Sequence, residues 1–443
     1  MHYILICLLF LFNSELLASK ASNSIMPMKQ RAETINTLLD TRFKTITAQL
    51  MRRENIKMWV LVAREYNEDP VVMTMLPGTS HAARRRTILV LVDEGEAGVK
   101  GYAVSKYGVG DFFKAVWDEE KQPNQWKALA DLITKKNPQT IGLNISATFP
   151  LADGLTQGEY LGLIKNLTEA QKSKIVSAES LSVSWLETRT KEEMQLYPSI
   201  VAIAHQIIRE GFSSNVIKAG ITTTEDVMWW YRDRIRELRL QTWFHPSVSI
   251  QRADSAEKEF IDQFQDTERD GIIQLGDLLH VDFGISYLRL NTDTQQHAYM
   301  LKAGEKDAPE GLKAALKKGN QLQDILMSNF KIGRTGNEIL KMSRQMAIDK
   351  GLKPTIYTHP IGYQGHGAGP TIGMWDNQGD TIGRGDYPMH ENTAYSIELN
   401  VKVSIPEWAN KEIRIMLEED AFFDGKETRF MVPRQTDFIL IAQ

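Results

Sequence analysis

Leu278-Leu279-His280-Val281-Asp282-Phe283-Gly284, with Asp293 following eleven residues after Asp282, is a strand pattern whose apolar run is broken by an acid. A carboxylate left charged and uncompensated in a low-dielectric core costs several kcal/mol. Either Asp282 stands at a solvated edge or something cationic meets it. No lysine lies nearby, although Arg289 could pair with it.

Three further stretches repeat the anomaly. Ala394-Tyr395-Ser396-Ile397-Glu398-Leu399-Asn400-Val401 and Ile413-Arg414-Ile415-Met416-Leu417-Glu418-Glu419-Asp420-Ala421 each place glutamate inside an apolar strand. The run Thr358-His359-Pro360-Ile361-Gly362-Tyr363-Gln364-Gly365-His366-Gly367-Ala368-Gly369 sets two histidines among glycines, which permit close backbone approach to a ligand. It lacks the strand-to-helix hinge and lysine of a phosphate-cradling loop. Each feature alone has a structural explanation: a solvated face for a glutamate, a satisfied core position for a histidine. As a set, carboxylates converging on one point would repel strongly, and two divalent cations supply the compensating charge. Oxygen-rich ligation with one imidazole suits Mn²⁺, Zn²⁺, Co²⁺ or Fe²⁺. Two such ions about 3.5–4 Å apart polarise a carbonyl and activate a water.

Outside this half the sequence sets limits. A chain of 443 residues exceeds one ordinary core and predicts two domains. The 42% hydrophobic and 24% charged content is that of a globular protein. A net charge of -4 with no broad basic face excludes nucleic acid as a partner. The apolar run Tyr3–Phe12, too short to span a bilayer and followed by Ser19-Lys20-Ala21, reads as a signal peptide over residues 1–21, so an exported protein, periplasmic or secreted, with no membrane association after cleavage, is expected. The single cysteine, Cys7, lies in that run, so the mature chain has no disulfides.

Periodicity divides the rest. Ile35–Arg53 carries apolar residues at helical spacing, Met58–Val62, Thr87–Val92 and Thr140–Asn144 read as buried strands, and Trp126–Thr134 as a helix. These make an α/β domain over 22–185. A long helix is expected from Glu187 to Glu210, leading into a second domain over 186–443. There Gly220–Asp226 offers a helix stop and an N-cap, and Pro309–Phe330 and Gly336–Asp349 are helical within a mostly β pattern.

The order Asp282, Asp293, His366, Glu398, Glu418, with the phrases Val281-Asp282-Phe283-Gly284, His366-Gly367-Ala368-Gly369 and Ser396-Ile397-Glu398, resembles the pita-bread-fold metallopeptidases, family M24, which include aminopeptidase P and prolidase. The resemblance runs from about Arg31 to the C-terminus. It implies an α/β N-terminal domain of the creatinase/prolidase kind, an α+β pita-bread catalytic domain, a homodimer, and hydrolysis between an N-terminal residue and proline in a small peptide. It implies metal ligation by Asp282, Asp293, His366, Glu398 and Glu418, with Glu398 also positioning the water. Glu419 competes with Glu418, but strand alternation and the offsets to Arg414, Ala421 and Phe423 favour Glu418.

The chain departs from the family in two places. Relatives carry a histidine about seventeen residues before the first aspartate, where Phe264-Gln265 stands, and another about seven after the ligand histidine, where Gly373 stands. His359 and His280 are the better substitutes for these catalytic histidines, ahead of His245 and His297. Trp243, His245, Trp375 and Arg414 are expected at the substrate, the tryptophans as an apolar wall for a proline ring. The alternatives are a weakly active or inactive binding protein of this fold and a creatinase-like C–N hydrolase, a family that has lost the ligands.

Overall fold

The computed structural model describes residues 25–254 and 271–443. The expected signal peptide and the Phe264-Gln265 position lie outside the described residues. The chain forms two compact units, one of Met28–Gln195 with the short segment His366–Gly369, the other holding Leu196–Gly365 and Pro370–Gln443.

The first unit is built on a six-stranded mixed sheet ordered Phe113–Ala115, Val99–Ala103, Arg86–Asp93, Met58–Arg64, Ile141–Leu143, Ile175–Ser177. Its central strands are the β-branched runs read from sequence, paired antiparallel from Met58↔Val92 to Arg64↔Arg86. The helix Gln125–Lys136 packs Trp126, Leu129 and Ile133 against Val60, Val62, Ile88 and Val90. The single helix expected over Ile35–Arg53 is two, Met28–Thr45 and Thr47–Arg53, parted at Ile46. Beneath the sheet a buried polar network replaces apolar packing: the Trp59 indole donates to Asn144 Oδ1 at 2.7 Å, Asn144 donates to Asp69 at 2.8 Å, and Asp69 caps the helix Pro70–Met75.

The expected helix from Glu187 is interrupted. One helix ends at Glu187, the backbone runs extended at Thr188, and the next begins at Lys191 and continues to Gly211. The buried Glu193 carboxylate explains the break, because it accepts the Thr190 amide at 2.7 Å and pairs with Arg42 at 2.9 Å, starting a new helix.

In the second unit the helix Thr224–Glu237 starts on a capping box between Thr223 and Asp226, and Gly336–Asp349 on one between Thr335 and Glu338. The helices Glu310–Ser328 and Gly336–Asp349 bury Leu312, Leu316, Leu322, Ile339 and Leu340 against Leu399, Val401, Ile413, Ile415 and Leu417. Two antiparallel sheets lie end to end beneath them. One orders Pro354–Ile356, Leu399–Ile405, Lys411–Leu417; the other orders His359–Pro360, Thr393–Ser396, Asp420–Phe423, Thr428–Phe430. Three chain segments therefore pass from one sheet to the other, and each breaks at the same level, at Tyr357-Thr358, Ile397-Glu398 and Glu418-Glu419. The crease is held by the Glu398 carbonyl, which accepts from Tyr357 N–H and Thr358 Oγ1, and by Ile397 N–H donating to the Glu419 carbonyl at 3.0 Å. A further four-stranded sheet, ordered Ile439–Ile441, Thr294–Met300, Leu278–Phe283, Ser247–Gln251, meets the crease through paired backbone bonds between Gln295 and Glu418.

Candidate metal centre

Two β-surfaces deliver the acids. In the Leu278–Phe283 and Thr294–Met300 pair, Asp282 stands opposite Gln295 and His280 opposite His297. Strand alternation then places His280, Asp282, Asp293, Gln295 and His297 on one face. The eleven residues between the aspartates are consumed by a small hairpin, Ser286–Tyr287 against Leu290–Asn291, whose turn residues Leu288 and Arg289 both have positive φ. At the crease, His359, Ser396 and Asp420 lie side by side across three strands.

The two surfaces converge. His359 Nε2 lies 3.6 Å from Asp293 Oδ2, 3.8 Å from Glu398 Oε2 and 3.4 Å from Glu418 Oε1. Ligand atoms of His359, Glu398 and Glu418 lie within 4.8 Å of one another, and so do those of Asp282, Asp293 and Glu418. The two groups share Glu418. Ser396 Oγ donates to Glu418 Oε1 at 2.6 Å. The Gln295 amide donates to Glu398 Oε1 at 2.6 Å and to Glu418 Oε2 at 2.9 Å.

Electrostatics favour a cation at this point. Burial first, then the charge of Glu418, pushes the Asp282 carboxyl well above its usual range. Asp293 rises through burial and then Glu418, Asp282, Glu398 and Asp420. Glu398 rises through burial, Glu418 and Asp282, opposed by the Gln295 amide. Asp282 Oδ1 and Asp293 Oδ1 are buried and make no hydrogen bond. A crowd of carboxylate oxygens with imidazole among them fits divalent metal, which lets the carboxylates ionise together.

Of the two adjacent glutamates, Glu418 faces this cluster. Glu419 turns the opposite way, where His205 Nε2 lies 2.8 Å from its Oε2 and Gln435 N–H donates to its Oε1 at 2.9 Å. Asp420, which the sequence reading passed over, returns to the Glu418 side and accepts the Asp293 N–H at 3.3 Å. Its signal was available, since Glu418 and Asp420 are two apart on a strand.

His359 joins the cluster through the bare fact of its register opposite Ser396. His366 is exposed and heads the segment that belongs to the first unit. Gly373, seven residues beyond it, has φ +75°, and a Cβ there would stand 2.2 Å from the Ile356 carbonyl oxygen. No histidine fits that backbone.

The remaining expected residues disperse. His280 is buried, and burial together with His297 holds its imidazole down at about 3, so it is neutral; its Nε2 lies 3.0 Å from Gln295 Oε1. It meets the cluster through Gln295. Trp243 is wedged between Gly284 and Gly365, where a Cβ on either would meet its ring within 2.8 Å, and its indole donates to the Thr292 carbonyl next to Asp293. His245 is exposed, its ring 5.0 Å from that of Trp229 and its Nδ1 3.3 Å from Arg232, on the surface of the helix Thr224–Glu237. Trp375 is 36% exposed on the turn closed by Met374 and Asn377. Arg414 lies in the strand Lys411–Leu417, four residues or about 13 Å from Glu418, with its backbone bonded to Gln251.

Comparison with known proteins agrees with this architecture. The model of metallopeptidase family M24 matches residues 199–422, just over half of the chain. The chain belongs to metallopeptidase family M24. Among solved structures, an X-Pro aminopeptidase from Thermotoga maritima MSB8 superposes with a TM-score of 0.59 at 16% identity, covering 89% of this chain and 100% of that one. A Xaa-Pro dipeptidase from Bacillus anthracis gives 0.56 at 14% identity, with 94% and 100% covered. A prolidase from Pyrococcus horikoshii OT3 gives 0.53 at 14%, with 92% and 99% covered. At these identities the likeness is one of fold: an α/β region followed by a pita-bread domain. No curated protein matches the sequence.

Proposed function

We propose that this M24 chain is a metal-dependent peptidase that hydrolyses the bond between an N-terminal residue and proline, with His359 supplying the imidazole ligand. The observation that carries the reading is the convergence of His359, Asp282, Asp293, Glu398 and Glu418 into two ligand groups that share Glu418. Two ions, Mn²⁺, Zn²⁺ or Co²⁺, would be held, one by Asp282, Asp293 and Glu418, the other by His359, Glu398, Asp293 and Glu418. The resemblance places a histidine about seven residues after the ligand histidine. Counted from His359, that place falls on His366, and the departure at Gly373 disappears.

Divalent cations held there supply Lewis acidity toward a peptide carbonyl and a water. The chain's own groups do the rest. Glu398 positions the water and accepts its proton, while Gln295 on its other oxygen fixes the carboxylate's rotation. The resemblance gives the histidine at that place in the sequence a proton-shuttling role, which His366 would fill by delivering a proton to the leaving nitrogen, a role worth roughly 10²–10⁴-fold. A proline nitrogen has no N–H to be gripped, so the ring must be held by shape, and Trp243, locked by Gly284 and Gly365, supplies a rigid apolar wall.

The names of the similar structures, which concern X-Pro and Xaa-Pro substrates, support the same substrate class. The apolar run Tyr3–Phe12 supports export, and the resemblance supports a homodimer; no helix among the described residues is long and apolar enough to cross a membrane. Hydrolysis of X-Pro-Y and X-Ala-Y tripeptides with each metal supplied tests the substrate. Selective release of X from X-Pro-Y is expected. Equal cleavage of both would remove the proline claim, and bound metal with no cleavage of either would favour a binding protein.

A further inference from the structure

Gln295 stands where an uncharged side chain is least anticipated, among the carboxylates of Asp282, Asp293, Glu398 and Glu418. Its amide nitrogen reaches Glu398 Oε1 at 2.6 Å and Glu418 Oε2 at 2.9 Å, so each of its two hydrogens meets one glutamate. The other two oxygens, Glu398 Oε2 and Glu418 Oε1, are the ones that face His359, and Glu418 Oε1 also accepts Ser396 Oγ. The amide therefore sorts the four oxygens of two glutamates, two held and two presented.

The orientation of that amide is itself fixed from behind. Gln295 Oε1 lies 3.0 Å from His280 Nε2. Turned over, the amide would aim its oxygen at two carboxylates, so the nitrogen must face them and His280 must be the donor. His280 packs at 5.1 Å from the ring of His297. His297 in turn is pinned at both nitrogens: Met416 N–H donates to Nε2 at 3.1 Å and Nδ1 lies 3.0 Å from the Leu279 carbonyl. His280, Gln295 and His297 sit on one strand face with Asp282 and Asp293 and belong to the same antiparallel pair.

We infer that Gln295 is a positioning residue of the metal centre, clamping Glu398 and Glu418 with their ligand oxygens toward His359, and that His280 sets the sense of the clamp. This rests on the proposed metal-binding reading and adds to it a determinant of affinity that touches no metal. Partners that orient ligating side chains change metal affinity by roughly 10–100-fold when removed.

The test is Mn²⁺ affinity of the full chain by competition with a chelator, for wild type, Gln295→Met, His280→Ala and the double variant. Gln295→Met keeps the bulk and loses both donors. It is expected to weaken Mn²⁺ binding roughly 10–100-fold. His280→Ala should weaken it less, and the double variant should be no weaker than Gln295→Met, because His280 acts through Gln295. Gln296→Ala, whose side chain faces Glu419 on the opposite side, should leave the affinity unchanged. Unchanged affinity in Gln295→Met, or additive losses in the double variant, overturns the inference. If wild type binds no Mn²⁺, the metal reading fails separately, and the clamp is judged on the metal-free protein: Gln295→Met must lower Tm by several degrees, and an unchanged Tm overturns it.

Discussion

Glu418 and Glu419 are chemically identical and adjacent, yet their surroundings assign them different work. Glu418 shares its oxygens among His359, Ser396 and Gln295, whereas Glu419 is matched to His205, Gln296 and Gln435. Glu418→Gln is therefore expected to lose metal. Glu419→Gln should keep it and instead cost about 1–3 kcal/mol of stability, since a buried charged partner of His205 is gone. Metal content and denaturant midpoints measured on both variants check this, and the reverse pattern would move the ligand by one residue. The histidines separate in the same way. His359→Ala should lose metal, while His366→Ala should keep it and turn over substrate roughly 10²–10⁴-fold more slowly. Retention of metal by His359→Ala with loss in His366→Ala would restore the order read from sequence. Its four acids come together in the structure, and each was legible because it interrupts an apolar run. It took His366 for the imidazole ligand because glycine density marks backbone approach, whereas nothing in Thr358-His359-Pro360 announces that His359 will stand opposite Ser396.

Elements explain why the acids converge. The sequence shows long apolar strands around Glu398 and Glu418, but the crease that splits three neighbouring segments at one level arises from cross-strand bonding and leaves no local periodicity. Helices with capping boxes, in contrast, carry their own start signals, and Gly336–Asp349 begins where Thr335 and Glu338 place it. In the first unit the capping acid has a pH consequence. Burial lifts Asp69 from the ordinary carboxylate range to about 6, despite hydrogen bonds from Val72, Asn144 and Val71. The folded state then holds a proton that the unfolded chain releases, so Asp69 favours folding at low pH, and this contribution falls between about pH 4 and pH 6. The loss amounts to about 3 kcal/mol. Denaturation across pH 4–7 should show this decline in wild type and a flatter profile in Asp69→Asn. Parallel profiles would remove Asp69 as its source.

For the whole molecule, the fold class was legible because alternating strands and helices before residue 180 and a mainly β pattern after Trp243 are properties of composition and period. The junction was less so: a helix expected to run on from Glu187 is broken by the burial of Glu193, a long-range pairing with Arg42. Stability of this cysteine-poor chain and function meet in one centre, since a ligand bound only by the folded state at about 100 times its Kd adds about 2.7 kcal/mol. The most direct measurement is anomalous diffraction from crystals of the full chain grown with Mn²⁺. The account predicts one peak among His359 Nε2, Asp293, Glu398 and Glu418 and a second among Asp282, Asp293 and Glu418, both absent in Asp293→Ala. Crystals whose wild-type maps show no Mn²⁺ at these residues, or show it unchanged in Asp293→Ala, would contradict the account.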